Sequence, residues 1–293
     1  MFALTSETIA YITLVSIALV YALFDVFNNR NVPSVFAYAT VIIGVIFTLS
    51  SLNIVMIGES IAIAAIISAL GYLLFRGGQL GAADVLEFAA ISLVLPYLQM
   101  PLMSSAFQFN IPFIISVFIA SGIAALLMIP VYYIPRAVMI LKKPLLAYIN
   151  TGNLVKGLTI TTAYAAFLIF LLFYANANVL LLGLLGIVAI SSLSTILFER
   201  PITDSMVRFI TPKQLEDQDI IAFNLMTKRE ISAVRKKVKG FNKLVNQKMI
   251  NELNKKMPNG KLPVYRSAMP MALPIFIGVV VSLLIGNVLI YLF

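Results

Sequence analysis

The 42 residues from 157 to 198 read GLTITTAYAAFLIFLLFYANANVLLLGLLGIVAISSLSTILF and contain no charged side chain. A helix that crosses the ~30 Å hydrocarbon core of a bilayer needs about 20 mostly apolar residues, so this stretch is long enough to cross twice. The sequence ANAN at residues 175–178 is typical of a turn and divides the stretch into two halves of suitable length. The stretch therefore predicts a transmembrane hairpin.

The rest of the chain has the same character. Of its 293 residues 61% are hydrophobic and 11% charged, with a mean hydropathy of +0.99, whereas soluble domains are about 45–50% apolar and about 25% charged. Charge-free runs predict an all-α fold, a polytopic transmembrane bundle of about eight spans with a small cytoplasmic helical segment. The predicted spans lie at about 8–24, 35–53, 58–75, 85–103, 111–133, 158–175, 178–198 and 269–293.

The basic residues agree with this count, because Lys and Arg gather in the cytoplasmic loops of membrane proteins. All 21 of them fall in alternate loops: one after the first predicted span, one after the third, four after the fifth and fifteen between residues 200 and 266. The topology therefore places both termini outside the cell membrane. The first span is not expected to be a cleavable signal peptide, since the residues before it include Glu7 and no basic side chain.

Five regions follow from this topology. They are a catalytic core of five spans at 1–135, a basic cytoplasmic loop at 136–157, an additional transmembrane hairpin at 158–198, a basic cytoplasmic domain at 199–268 and a final transmembrane helix at 269–293.

Within the basic domain, apolar residues recur every three or four positions between 228 and 256, which predicts one amphipathic basic helix. Two placements of its apolar face remain open. It packs on the rest of the cytoplasmic domain, or it lies on anionic lipid with its lysines toward the phosphates.

The chain contains no cysteine and no histidine. This composition excludes thiolate nucleophiles, disulfides, iron–sulfur clusters, histidine bases and histidine-ligated metals, and we expect no cofactor and no metal. The net charge of +9 follows from the membrane topology, so nucleic acid is not an expected partner.

Acidic residues at membrane depth are unfavourable unless they have a function, and three of them qualify as functional candidates. Asp25 closes the first span, Asp84 opens the fourth and Glu87 lies one turn deeper. The topology places Asp25 and Asp84 at the same cytoplasmic level, so the two carboxylates can meet. Such a pair suits an aspartic protease, in which one carboxylate deprotonates water and the other protonates the peptide carbonyl. Taken singly, each aspartate also fits a helix cap or an interfacial residue.

The position of each aspartate on its helix predicts their roles. A helix macrodipole disfavours negative charge at the C-terminal end, where Asp25 lies, and favours it in the first turn, where Asp84 lies. We therefore expect Asp25 to act as the acid and Asp84 as the carboxylate that activates water, with Glu87 as a supporting residue behind them.

A glycine-rich loop precedes Asp84. The stretch GGQLGAAD at 77–84 contains Gly77, Gly78 and Gly81, and glycine permits positive φ and close backbone approach. We expect this loop to place the carboxylate against its partner.

These motifs resemble the prepilin peptidase family of GxGD-type aspartic proteases, and more closely the archaeal preflagellin and prepilin signal peptidases. The resemblance rests on FDVFNNRNVP at 24–33, on the stretch 77–84 followed by Pro96, and on the proline-containing approach to the last span at 262–274. The chain departs from the family pattern at Ala83, which replaces the second glycine of GxGD, in the absence of a four-cysteine insertion, and in having more than six predicted spans.

The resemblance implies a membrane-embedded aspartic endopeptidase with Asp25 and Asp84 as its general acid/base pair. Its substrates would be type IV pilin-like or archaellin precursors, whose short basic leader it removes at the cytoplasmic face of the cell membrane. Membrane lipids would be its other partners, with anionic lipid at the basic segment.

Two alternatives remain open. Presenilin-like GxGD intramembrane proteases carry a Tyr-Asp pair on a later span and a Pro-Ala-Leu motif, whereas this chain has Phe24-Asp25 on the first span and PMAL at 270–273. A non-enzymatic ion- or proton-coupled transporter could use the two aspartates as cation ligands or proton carriers. Transport sites usually lie near the membrane midplane, however, and these aspartates are predicted near one face.

Overall fold

A computed structural model of the chain describes residues 6–28, 32–77, 80–97, 111–140, 145–174, 179–217, 219–238, 240–265 and 271–286. Arg30, Gly78 and both chain ends lie outside these ranges, as does the ANAN sequence at 175–178.

The described residues are mostly helical. In chain order the elements are α1 (Ser6–Phe27), α2 (Ser34–Ser50), α3 (Ile54–Arg76), α4 (Ala82–Val94), α5 (Phe113–Ile140), α6 (Thr151–Tyr174), α7 (Val179–Leu197), α8 (Glu199–Met206), β1 (Val207–Ile210), α9 (Lys228–Lys237), α10 (Gln247–Lys256), β2 (Leu262–Tyr265) and α11 (Ala272–Ile285).

An apolar helix lies at each of the eight predicted spans, but not all of these helices are long enough to cross a bilayer. Among the described residues, α1, α3, α5 and α6 are long and apolar enough, and a fifth span results if α7 and α8, which meet at a bend of 72°, count as one. The helices α2 and α11 are shorter, and α4 has 13 residues, which corresponds to about 20 Å. A mostly helical chain with four or five candidate membrane spans among the described residues is confirmed, whereas eight full spans are not supported.

The difference arises where turns interrupt the apolar runs. Ser51 ends α2, and the side chain of Asn53 then accepts hydrogen bonds from Val55 N and Met56 N to begin α3. A span predicted from an uncharged run includes such cap residues, although their backbone is no longer helical.

Helix α4 lies at the centre of the bundle. It packs against α1, α2, α3 and α5, and every residue from Glu87 to Val94 is buried. Glycines on two neighbours allow this close packing: a Cβ atom at Gly44 of α2 would lie 2.7 Å from Leu93 Cβ, and one at Gly71 of α3 would lie 2.7 Å from Val85 Cγ1. Small residues let helix backbones approach each other, so these contacts enclose α4 and the acids that it carries.

Helix α11 completes the core by packing between α1 and α5. Gly278 of α11 lies so close to the backbone of α5 that a Cβ atom there would be 2.8 Å from Ser121 N and 2.8 Å from Val117 O. The last helix is therefore held beside the first, although it comes from the other end of the described chain.

Residues 207–265, called the polar domain below, form a small folded unit. Strands β1 and β2 pair antiparallel, with Val207 opposite Tyr265 and Ile210 opposite Leu262; this sheet was not predicted. The domain has its own apolar core, made by Leu215, Ile221, Val234, Val238, Phe241, Val245, Met249, Ile250, Leu253, Leu262 and Val264.

The prediction of one continuous helix over 228–256 is wrong. Helix α9 ends before Val238, whose backbone is extended, and Gly240 adopts a positive φ of 79°. The side chain of Asn246 then accepts a hydrogen bond from Met249 N and begins α10. The apolar residues that gave the helical period, including Phe241 and Met249, are buried in the domain core, so the first of the two predicted placements is the observed one.

Candidate active site

Asp25 lies in the last turn of α1, and its side chain is 8% exposed. One turn earlier, Tyr21 is completely buried, and its hydroxyl lies 3.0 Å from Thr40 Oγ1 of α2. Because the Thr40 hydroxyl donates to Ala37 O at 2.8 Å, Tyr21 is the donor of this pair. The Tyr21 ring also packs against Phe36 at 5.1 Å between centroids. These contacts fix the end of α1 against α2 and so position Asp25.

The Asp25 carboxylate joins the first and last helices. Its Oδ2 accepts a hydrogen bond of 2.9 Å from the backbone N–H of Ala272, the first residue of α11 and 247 residues away in the chain. The amides of a helix N-terminus lack partners within the helix and favour negative charge. The helix dipole therefore no longer distinguishes the two aspartates, since Asp25 contacts the N-terminus of α11 and Asp84 lies in the first turn of α4. That Asp25 holds the proton and Asp84 is ionised stays a prediction.

Asp84 lies in the first turn of α4 and is 9% exposed. Its Oδ2 accepts a hydrogen bond of 2.8 Å from Gly81 N, so the side chain reaches back to the residue that precedes the helix. This is the second half of a capping box, and it fixes the direction of the carboxylate.

The glycines of the loop act differently from the prediction. Gly77 has φ −72° and ψ −9°, and Gly81 has φ −78° and ψ 155°, which are conformations open to any residue. At Gly81 a larger residue is limited by space and not by backbone conformation, because a Cβ atom would lie 3.1 Å from Asp84 Oδ2. Gly81 thus leaves room for the carboxylate that its own N–H binds.

Glu87 is the most deeply buried of the three acids. It is 0% exposed, and neither of its side-chain oxygens has a hydrogen-bond partner among the described residues. Buried polar atoms without partners are rare, and each calls for an explanation, of which a functional role is one. One signal in the sequence pointed to Glu87, namely its position three residues after Asp84 on the same face of α4.

The structure brings the three acids into one site. The charge of Asp25 acts on both Asp84 and Glu87, and the charge of Asp84 acts on Glu87. Three helices contribute to the site: α1 carries Asp25, α4 carries the other two acids, and α11 supplies the amide of Ala272. Acids from distant parts of the sequence therefore lie near enough for their charges to interact, while direct contact between the two aspartates and their catalytic role stay predictions.

The site has the chemistry of buried carboxyl groups. Each aspartate has one oxygen held by a backbone amide, which fixes the direction of the group. In the part of the chain that the structure describes, no group of three or more acidic, histidine or cysteine side chains has the arrangement of a metal site.

Comparisons with protein-family models, with curated proteins and with solved structures find no match to this chain. The functional conclusion therefore rests on the geometry of the acids and on the motifs at 24–33 and 77–84.

Proposed function

We propose that this protein is a membrane-embedded aspartic endopeptidase of the prepilin peptidase type. The observation that carries the proposal is the position of Asp25 and Asp84. They lie 59 residues apart in the sequence, yet both are buried, Asp25 at the C-terminal end of α1 and Asp84 at the N-terminal end of α4. They lie close enough for the charge of Asp25 to act on Asp84. Two interacting carboxylates are the acid–base equipment of an aspartic protease.

In this reaction one carboxylate takes a proton from water as the water attacks the carbonyl carbon of the peptide bond. The other aspartate, protonated at the start, gives its proton to the carbonyl oxygen. When the tetrahedral intermediate collapses, the first aspartate passes the proton from water to the leaving amine, and the second takes a proton back from a hydroxyl group of the intermediate. The amides of Gly81 and Ala272 hold one oxygen of each carboxylate in place during these transfers.

The proposed substrates are type IV pilin-like or archaellin precursors with a short basic leader. Such a precursor presents its leader on the cytoplasmic side while its apolar helix lies in the bilayer. The cleaved bond then lies at the membrane interface, which is the level proposed for Asp25 and Asp84. This placement assigns the enzyme to the cell membrane, with both termini outside and the polar domain in the cytoplasm.

Packing along the helices favours a protease over a transporter. Between the aspartates and the opposite end of the bundle lie the fully buried side chains of Leu14, Ala18 and Ile91. A cleft of about 320 Å³ opens at that opposite end around Glu7 and Tyr11, and neither aspartate lines it. Access from one face is all that a protease requires, whereas alternating access would need a second arrangement of α1 and α4 that opens this packing.

The second proposed partner is anionic lipid at the polar domain. Lys228, Arg235 and Lys236 line an open cleft of about 510 Å³ together with Phe223 and Ile231. None of these three cations forms an ion pair with a described residue. Clusters of unpaired basic side chains beside a membrane attract anionic headgroups.

The proposal is tested by reconstituting the full chain in liposomes with a pilin-like precursor that carries a short basic leader. Mass spectrometry of the products should show one cut, directly before the apolar helix, without added metal or cofactor. Products cut within the apolar helix would instead support a presenilin-like protease. An intact precursor, combined with proton uptake by the liposomes, would support a transporter.

A further inference from the structure

One side chain of the polar domain contacts the glycine-rich loop. Lys243 Nζ donates a hydrogen bond of 3.1 Å to the backbone carbonyl of Gly77, which lies 166 residues earlier in the chain. Gly77 directly follows the last residue of α3 and opens the loop that leads to Asp84. The contact therefore links the polar domain to the connection that carries a proposed catalytic residue.

Lys243 projects from a well-fixed segment of backbone. Its own carbonyl accepts a hydrogen bond of 2.8 Å from Ile221 N, and two residues later Val245 N donates to Asp219 O at 2.8 Å. The flanking side chains of Phe241 and Val245 are almost fully buried in the domain core. An exposed lysine loses side-chain freedom when it forms a contact. The backbone of Lys243 is already held in place, so the contact costs no further backbone freedom.

The acceptor suits a cation. The last carbonyl groups of a helix lack partners within the helix and carry the negative end of its dipole. The ammonium group of Lys243 lies at this end of α3, where basic side chains commonly bind backbone carbonyls.

Gly77 is close in sequence to the residue that orients Asp84. Four residues after Gly77 the chain reaches Gly81, a distance of at most about 14 Å even when fully extended. The N–H of Gly81 binds Asp84 Oδ2 at 2.8 Å. Because the connection is short, we expect a displacement at Gly77 to alter the position of Gly81.

We propose that the polar domain positions the glycine-rich loop, with Lys243 as the positioning residue. This inference rests on the proposed function, in which Asp84 is catalytic, and it gives the polar domain a part in the reaction. Releasing the loop should reduce turnover more than substrate binding, because the contact is made with the backbone of Gly77 and with neither aspartate. The expected loss is roughly threefold to tenfold in kcat, less than the ~100-fold that a full ~1 Å misplacement can cause.

The test compares Lys243→Met with Lys243→Arg and with Lys248→Met, all in the full chain. Lys248 is an exposed lysine of α10 and serves as the matched control. Hydrogen exchange of peptides covering residues 77–84 reports on the loop directly, independent of any cleavage assay. Cleavage of a pilin-like precursor in liposomes gives kcat and KM.

We expect Lys243→Met to exchange faster in the loop, to lose kcat with KM nearly unchanged, and to be rescued by Lys243→Arg, while Lys248→Met matches wild type. Unchanged loop exchange in Lys243→Met overturns the inference, even if the enzyme is a protease. Faster exchange with unchanged kcat overturns the positioning role. If wild-type protein cleaves no precursor, the proposed function fails and the catalytic part of the inference fails with it, while the exchange data still decide whether the contact holds the loop.

Discussion

Gly81 offers a prediction that separates chemistry from folding. A Cβ atom at this position would lie 3.1 Å from Asp84 Oδ2, a few tenths of an ångström closer than ordinary van der Waals contact. The backbone conformation of Gly81 suits any residue, so the new side chain should displace the carboxylate without straining the fold. If a ~1 Å misplacement causes a ~100-fold loss of rate, a shift of about 0.3 Å corresponds to a loss of about fourfold on a logarithmic scale.

We therefore expect Gly81→Ala to lose about fourfold in kcat, and Gly81→Val, whose two methyl groups crowd the carboxylate further, to approach a ~100-fold loss. Both variants should insert in the membrane and melt near the wild-type temperature. Cleavage of a pilin-like precursor in liposomes measures the rate, and thermal unfolding in detergent measures stability. Gly58→Ala is the matched control, because a Cβ atom at Gly58 meets nothing within 4 Å. Wild-type activity in Gly81→Val would refute the reasoning, since it would show that the loop does not position the carboxylate.

The remaining predictions concern the acids and the packing of α4. Asp25→Asn and Asp84→Asn should each abolish cleavage as completely as the alanine variants, because an amide keeps hydrogen bonding but cannot transfer the proton; activity in either variant, assayed on the same precursor, contradicts this. Glu87→Gln should retain turnover, and Glu87→Leu should raise the melting temperature, because it removes buried oxygens without described partners at a gain of about 1–3 kcal/mol. Loss of all turnover in Glu87→Gln alone would show that the pair of acids is wrongly assigned. Gly44→Val should lower stability by about 1–3 kcal/mol or more through its clash with Leu93, and an unchanged melting temperature would contradict the packing of α2 on α4.

The positions of the apolar helices could be predicted from the sequence, because the charge and hydropathy of a segment depend only on its own residues. The prediction overestimated the length of α2, since the predicted span at 35–53 includes the turn through Ser51 and Asn53, and it underestimated α1, α3, α5 and α6, whose helices extend beyond the predicted spans. It also missed the break in the basic segment. The three- and four-residue spacing of apolar side chains continues through residues 238–246, although the described backbone at 238 and 240–246 is not helical and Gly240 has a positive φ.

The site was predicted in its residues and less well in its geometry. Asp25 and Asp84 stood out because acids are scarce in an apolar chain, and topology placed them at one end of the bundle. The bond from Ala272 N to Asp25 could not be predicted, because it joins positions 247 residues apart through packing alone. The full burial of Glu87 likewise depends on the helices that enclose α4.

The most direct test of the account is the cleavage of one pilin-like precursor by wild-type protein and by the Asp25→Asn/Asp84→Asn double variant. The two proteins should be reconstituted in equal amount and shown to melt at similar temperatures. The account predicts that wild type releases the intact basic leader as a single product and that the double variant releases none. Release of the same leader by the double variant at a comparable rate would contradict it, because the two aspartates would then not be the catalytic pair.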